Sequence, residues 1–530
     1  MLIFAGWGWV VAVWPMASFA LVYEYLPVAM EYRAVDRDQL FLLPPSMRDW
    51  LPDDHLALLV EDVVAQMDTA MLHRRARLGG VGRSPYHPDM LLGLLVYAYA
   101  DGVRSSRAIE SKCHTDIAYR YLCAQDIPDH TVIARFRRAH TAVLTDLLTE
   151  VLVVAVGLGM GRFGHVAIDG TKIAASASRD AHHDVKALRR MADQWMTESV
   201  SVDDAEDAQP PEPPDRMPPG TRDRTDRAGR IRAALAKAHA GQAELDTEAA
   251  KRHAELATAQ DRLATAQAAQ QARIEEFDRQ KALPLTERTQ AGLSHRPGPV
   301  DTCAPVIAAG KAVAKAAAMA DKAAKTRPAQ ANLTDPDARL MQKRGGGYLV
   351  GYNCQLSASD DQLILALNIH DNPNDVAAFI PMMNKTLDVV ATITTRTTTR
   401  TTTGAQDAQD IDLFTADAGY DAEYNLTAPG PERLIAQHNR RRTPPQNPTP
   451  PPQDATARQH MAYKLATPEG HTRYKRRGVT IEPVNGHLKD RIGLRQFLLR
   501  GRTGATIELT LAAIAHNIRK IHTHLHPQPA

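Results

Sequence analysis

The chain has 530 residues, 63 Lys and Arg against 61 Asp and Glu, a net charge of +2, and four cysteines. That length exceeds one ordinary core and implies several folded units. The near-neutral balance excludes a uniformly basic surface, so any affinity for polyanions must come from local clusters of Lys and Arg. Cys113, Cys123, Cys303 and Cys354 form no CxxC pair, which fits a reducing compartment better than a disulfide framework.

Residues 2–23, LIFAGWGWVVAVWPMASFALVY, carry no charge and are long enough to span a bilayer. They lack the basic start and small-residue cleavage site of a secretory signal. Met30 then opens an ordinary polar sequence. We read 1–29 as an apolar leader upstream of the natural start, with a membrane segment as the alternative.

Residues 30–160 read as helical. HLALLVEDVVAQMDTAML and HPDMLLGLLVYAYADGV repeat apolar residues at helical spacing, and Pro88 suits a first turn. Asp129 stands where an N-cap is wanted, before TVIARFRRAH. Within 103–140 this suggests a helix-turn-helix whose second helix presents Arg135, Arg137 and Arg138 to a major groove or to phosphates. The alternative is a core helix with a solvated basic face.

HVAIDGTKIAAS (165–176) changes to strand character and delivers Asp169 at the end of an apolar stretch. Residues 181–330 are rich in Ala, Gln, Glu and Arg, with a Pro-rich patch at 210–220 and a Pro-free stretch at 228–277. This predicts a helical insert, as a coiled coil or a hairpin. YLVGYNCQLSAS and QLILALNIH then read as adjacent strands, DVAAFIPMMNKTLDVV as a helix, and ITTRTTTRTTTG as a loop. LFTADAGYD is a short strand ending at Asp417, RLIAQ a further strand, 440–453 an extended linker, and the chain from 455 mainly helical. The closing HTHLHP (522–527) is read as polar tail in preference to a metal site.

The fold class is therefore α/β, in the mixed α+β sense. The expected domains are a helical module at 30–160, the first strand of a catalytic domain at 161–180, the insert at 181–330, the remainder of the catalytic domain at 331–522, and a polar tail at 523–530.

Asp169 and Asp417 share a setting: an apolar run, the acid, then a nearby glycine that leaves room for a ligand. Glu482 lies among nine Lys and Arg and one other acid between His471 and Arg502. A lone carboxylate in a basic stretch suits a metal ligand beside a phosphate backbone. Read as a helix start, Glu482 places Pro483 in the first turn and Lys489 two turns on. Carboxylates converging on divalent cations are what phosphodiester chemistry requires, because two such ions activate an oxygen nucleophile and stabilise the leaving oxygen.

An ordered series of motifs resembles the bacterial insertion-sequence transposases of the DDE superfamily: LLPPSMRDWLPDDHLALLVEDVV, YHPDMLLGLLVYAYADGVRSSRAIE, IPDHTVIARFRR, AIDGTKIAASAS, NLTDPDARLM, TADAGYD, LATPEGHTRYKRRGVTIEPVNGHLK, and LLRG with IAHNIRK. The resemblance covers about residues 30–180 and 330–522. It implies an RNase H-like catalytic domain in which Asp169, Asp417 and Glu482 bind two Mg²⁺ or Mn²⁺ ions. It also implies a signature filled by Tyr474, Arg477, Glu482 and Lys489. Arg476 competes with Arg477 for the arginine, and Asn485 replaces a frequent aromatic. Tyr474, Arg476, Arg477, Lys489 and Arg491 are expected near the DNA. The implied activity is metal-dependent cleavage and strand transfer at terminal inverted repeats, by a homodimer or larger synaptic assembly in the cytoplasm at the nucleoid. A nuclease without strand transfer and an inactive DNA-binding relic are the alternatives.

Overall fold

A computed structural model describes residues 46–74, 84–207, 221–284, 295–342, 346–370, 372–400, 410–437, 448–452 and 454–527. The apolar leader and most of the 440–453 linker lie outside the described residues. The chain falls into two compact units, one of residues up to Ala98 with Ser106–Val143, the other of Tyr99–Ser105 with Leu144–Ala530.

The first unit is helical: α1 (Leu56–Gln66), α2 (Ala70–His73), most of α3 (Pro88–Ala100), α4 (Ser106–Thr115), α5 (Ile117–Leu122) and α6 (His130–Ala139). Its core is knit by α3 and α5, where Tyr97 meets Tyr119 edge-on at 5.1 Å. Asp129 caps α6 as expected, accepting from the Thr131 N–H at 2.6 Å.

The second unit opens with α7 (Thr141–Gly157), which crosses from the first, and then builds a mixed sheet flanked by helices. Its strands are β1 (His165–Ala174), β2 (His182–Asp184), β3 (Gln330–Asn332), β4 (Arg339–Gln342), β5 (Tyr348–Ser359), β6 (Ile364–His370), β7 (Leu413–Ala416) and β8 (Glu432–Ile435). The main sheet runs β4-β5-β1-β7-β8, with β6 also paired to β5, while β2 and β3 form a separate ribbon. β1 is antiparallel to β5 and parallel to β7, and β7 is parallel to β8. The central strands are buried on both faces, as apolar runs flanked by helices require.

The helices of this unit are α8 (Val185–Asp207), α9 (Thr221–Ala282), α10 (Ala304–Ala324), α11 (Phe379–Arg400), α12 (Glu423–Thr427), α13 (Ala457–Ala466), α14 (Pro468–Asp490) and α15 (Gly501–Leu525). Gln242 Oε1 accepts from Ala329 N and Gln270 Nε2 donates to Gly298 O. Those two contacts make α9 and α10 an antiparallel hairpin, which accounts for the Pro-free insert. α15 covers the open edge of β6: the Asn517 amide donates to Ile364 O at 3.0 Å and accepts from Ile364 N at 2.8 Å, as a neighbouring strand would.

The Thr/Arg tract expected as a loop continues α11 as far as Arg400. Its threonines bond back one turn, Thr392 to Asp388 O, Thr394 to Val390 O, Thr395 to Ala391 O and Thr397 to Ile393 O, all within 3.0 Å. Turning the hydroxyls onto the helix backbone keeps β-branched residues helical. Ile393 is fully buried and Arg396 pairs with Glu150, so tertiary contacts overrode weak local propensity. The closing polar tail likewise begins late, because α15 runs on to Leu525.

One stretch among the described residues, Val376–Thr397, is long and apolar enough to cross a membrane, with 39% of its window buried. It contains α11, whose Thr386 Oγ1 donates to Ser357 Oγ of β5 at 2.8 Å, so it packs on the sheet as a core helix does.

Candidate active site

Strand pairing sets the site. In the parallel β1–β7 ladder His165–Ile168 pair with Leu413–Ala416, so Asp169 and Asp417 each come one residue past the last pair and stand at the same end of adjacent strands. Asp169 is not a strand end, as the sequence suggested. β1 continues to Ala174 against β5, and Gly170 does not turn the chain. Its missing side chain matters instead: a Cβ there would lie 2.5 Å from Asp375 Oδ1.

Asp417 caps the turn Ala418–Tyr420, its Oδ1 accepting from Gly419 N at 2.8 Å. Asp169 is largely buried and both of its oxygens are engaged. Oδ1 accepts from Arg477 at 2.7 Å and Oδ2 from the Asn485 amide at 2.8 Å. Burial pushes the Asp169 carboxyl up to about 6, Arg477 pulls it back, and Asp417 and Asp375 push it further up.

Glu482 does not begin a helix. α14 starts at Pro468 behind the Thr467 cap, which places Glu482 and Pro483 inside it. An interior proline has no N–H for the carbonyl one turn back. That carbonyl, Val479 O, accepts from the Gln362 side chain at 2.8 Å instead. The Glu482 side chain is 68% exposed, with Oε1 3.7 Å from Arg477 Nη1.

The basic residues separate by role. Arg477, not Arg476, faces the carboxylates, while Arg476 pairs with Asp360. Tyr474 is buried and donates to Ala416 O at 3.3 Å, tying α14 to β7. Lys489 is half-buried, and burial holds its ammonium below the usual lysine range. Arg491 is exposed just beyond α14. In the first unit Arg135 and Arg138 are exposed, whereas Arg137 is buried with its guanidinium on Ser106 Oγ at 3.3 Å.

Sequence reasoning overlooked a buried polar network beside Asp169. Tyr420 donates to Gln355 Oε1, and the Gln355 amide reaches Asp375. Burial, then Asp375, Asp169 and Asp417, hold the Tyr420 hydroxyl far above its ordinary range, so it is a proton donor here. The signal was available: Asn353 and Gln355 are polar residues two apart on an otherwise apolar strand, hence on one face.

Glu110, Asp129 and His130 of the first unit form a group of three that could hold a single metal ion, with one ligand atom from each within 4.8 Å. No other group of three among the described residues meets that spacing.

Residues 45–139 match a family model described as a transposase domain (DUF772), and residues 451–522 match one described as a transposase DDE domain. Together the two matches agree with the domain order of a DDE-superfamily transposase. The second contains all of α13 and α14, hence Arg477, Glu482 and Lys489; Asp169 and Asp417 lie outside both. No curated protein and no solved structure matches the chain.

Proposed function

We propose that the chain is a DDE transposase that cuts DNA at the terminal inverted repeats of an insertion sequence and joins the freed ends to a target. The observation that carries this reading is the pairing of Asp169 and Asp417 on adjacent parallel strands, with α14 laying Arg477 against Asp169 inside the segment matched as a DDE domain. The mixed sheet between helices is then RNase H-like, 181–330 its insert, and 30–160 the module that binds the element's ends. Such a protein works at the nucleoid as a dimer or larger synaptic assembly.

Asp169, Asp417 and Glu482 would hold Mg²⁺ or Mn²⁺, two ions in the full reading. When bound, these ions activate the attacking oxygen and neutralise the leaving one. Two features support the fit. The donors are hard carboxylate oxygens, and Arg477 already occupies a cation's place between Asp169 and Glu482. The chain's own residues do the remainder. Asn485 orients Asp169, Tyr474 anchors α14 to β7, and Arg476, Lys489 and Arg491 supply positive charge for phosphates. Arg135 and Arg138 would contact the repeat.

The test is cleavage and strand transfer on DNA carrying the native ends, with and without Mg²⁺. Wild type should nick and join. Asp169→Ala should do neither while still binding the ends, and undiminished cleavage by that variant would overturn the reading. Cleavage without joining of pre-cut ends would identify a simple nuclease.

A further inference from the structure

Asp375 precedes the short turn Val376–Ala378 at the cap position, with φ −86° and ψ −16°, yet its side chain caps nothing. An aspartate there ordinarily accepts from an N–H two or three residues on. This one faces β5, where Oδ1 accepts from Asn353 Nδ2 and Gln355 Nε2, both at 2.7 Å. Both amides are buried, and Asn353 and Gln355 pair with Lys172 and Gly170 across the β1–β5 ladder. The carboxylate is therefore clamped directly in front of Gly170, beside Asp169.

The second oxygen points elsewhere. A Cβ on Gly419 would lie 3.2 Å from Asp375 Oδ2 and 2.9 Å from Asp417 Oδ1. Gly170 and Gly419 thus leave open the space around Asp375 and Asp417. Among the described residues no hydrogen bond is made to Asp375 Oδ2. Asn485, whose amide donates to Asp169, leaves its own buried Oδ1 without a hydrogen-bond partner as well. A buried acceptor without a donor costs free energy, and a carboxylate held beside two others costs more unless a cation joins them.

We propose that Asp375 is a further ligand for the divalent cation of this site, acting with Asp169 and Asp417. The inference rests on the transposase reading but adds a residue to it. It also divides the work. Asp169, Asp417 and Asp375 form the inner, clamped side, whereas Glu482 on exposed α14 forms the outer side facing DNA.

The test uses Mn²⁺ and the full-length protein, in a Glu110→Gln background so that the Glu110–Asp129–His130 group does not contribute. Free Mn²⁺ is read by electron paramagnetic resonance, and stabilisation by the metal from the melting temperature. Asp375→Asn is the chosen variant because the new amide keeps an oxygen for Asn353 and Gln355 and replaces only the open one. It should fold as wild type in EDTA, bind Mn²⁺ about tenfold or more weakly, and lose the metal-dependent rise in melting temperature. Asp375→Glu should recover part of both. Normal Mn²⁺ binding by Asp375→Asn, where Asp169→Asn has lost it, would make Asp375 a structural brace and overturn the inference alone. Normal binding by both variants would overturn the metal site as well. Should Asp375→Asn fail to fold, Fe²⁺ with ascorbate and peroxide on the unsubstituted chain decides. Backbone cuts near 169, 375 and 417 support the ligand, and cuts near 169 and 417 without 375 refute it.

Discussion

Glu110, Asp129 and His130 bring their ligand atoms within 4.8 Å, yet each already has a local partner. His130 Nδ1 lies 2.8 Å from Glu110 and Asp129 caps α6. The carboxylates at the end of β1 and β7 fail that spacing, but burial and like charge make them need a cation. Spacing alone is therefore a poor guide to a metal site. What marks one is acidic groups held in place at a cost their own surroundings do not offset.

The largest expected effect separates the two places outright. Asp169→Ala or Asp417→Ala should reduce strand cleavage by about 10³-fold or more, the scale of losing a group at the reacting centre. Glu110→Gln and His130→Ala should leave cleavage of the same substrate unchanged. Equal losses at both places would erase the contrast.

The next difference is in pH dependence, measured without metal. Folded Asp169 keeps its proton up to about 6, against 3.8 ordinarily. Between those values the folded chain holds a proton that the unfolded chain has lost. Stability therefore falls as pH rises through this window, by about 3 kcal/mol in all. Urea unfolding in EDTA from pH 4 to 7 should show Asp169→Asn gaining on wild type as pH rises, and parallel curves would refute the buried charge. Asp129 behaves oppositely. The Thr131 hydroxyl and N–H hold its carboxyl below the usual range, so its contribution is present at neutral pH and lost on acidification. Asp129→Ala should cost more stability at pH 7 than at pH 3.

A third test separates exposed from buried cations on α6. Arg135→Ala and Arg138→Ala should each flatten the dependence of log binding constant on log salt by about one unit for DNA carrying the ends. Arg137→Ala should leave that slope unchanged and cost about 2 kcal/mol in unfolding free energy, because it empties a buried polar position. The smallest effect is at Gln362→Ala. It frees the Val479 carbonyl, but Val479 is 68% exposed and water can replace the lost donor, so unfolding should change by only about 0.5 kcal/mol.

Much of this was legible beforehand because it is local. The α6 cap, the β5 run and the pairing of two strand-borne aspartates follow from period, turn chemistry and apolar content. The Thr/Arg helix was not legible, since its hydroxyl back-bonds and the burial of Ile393 exist only once α11 lies on the sheet. Nor was the position of Glu482. Pro483 suggested a helix start, and only the Gln362 side chain from another strand connection makes an interior proline tolerable there.

The sequence by itself determined which acids could matter and in what order, because a carboxylate's chemistry and a strand's period belong to the residue and its neighbours. Tertiary structure alone decided that Arg477 and not Arg476 meets Asp169, that Arg137 turns inward, and that Asp375, more than 200 residues from Asp169, stands beside it. Those choices depend on strand register and on where burial removes water, and neither is a property of any short stretch of chain.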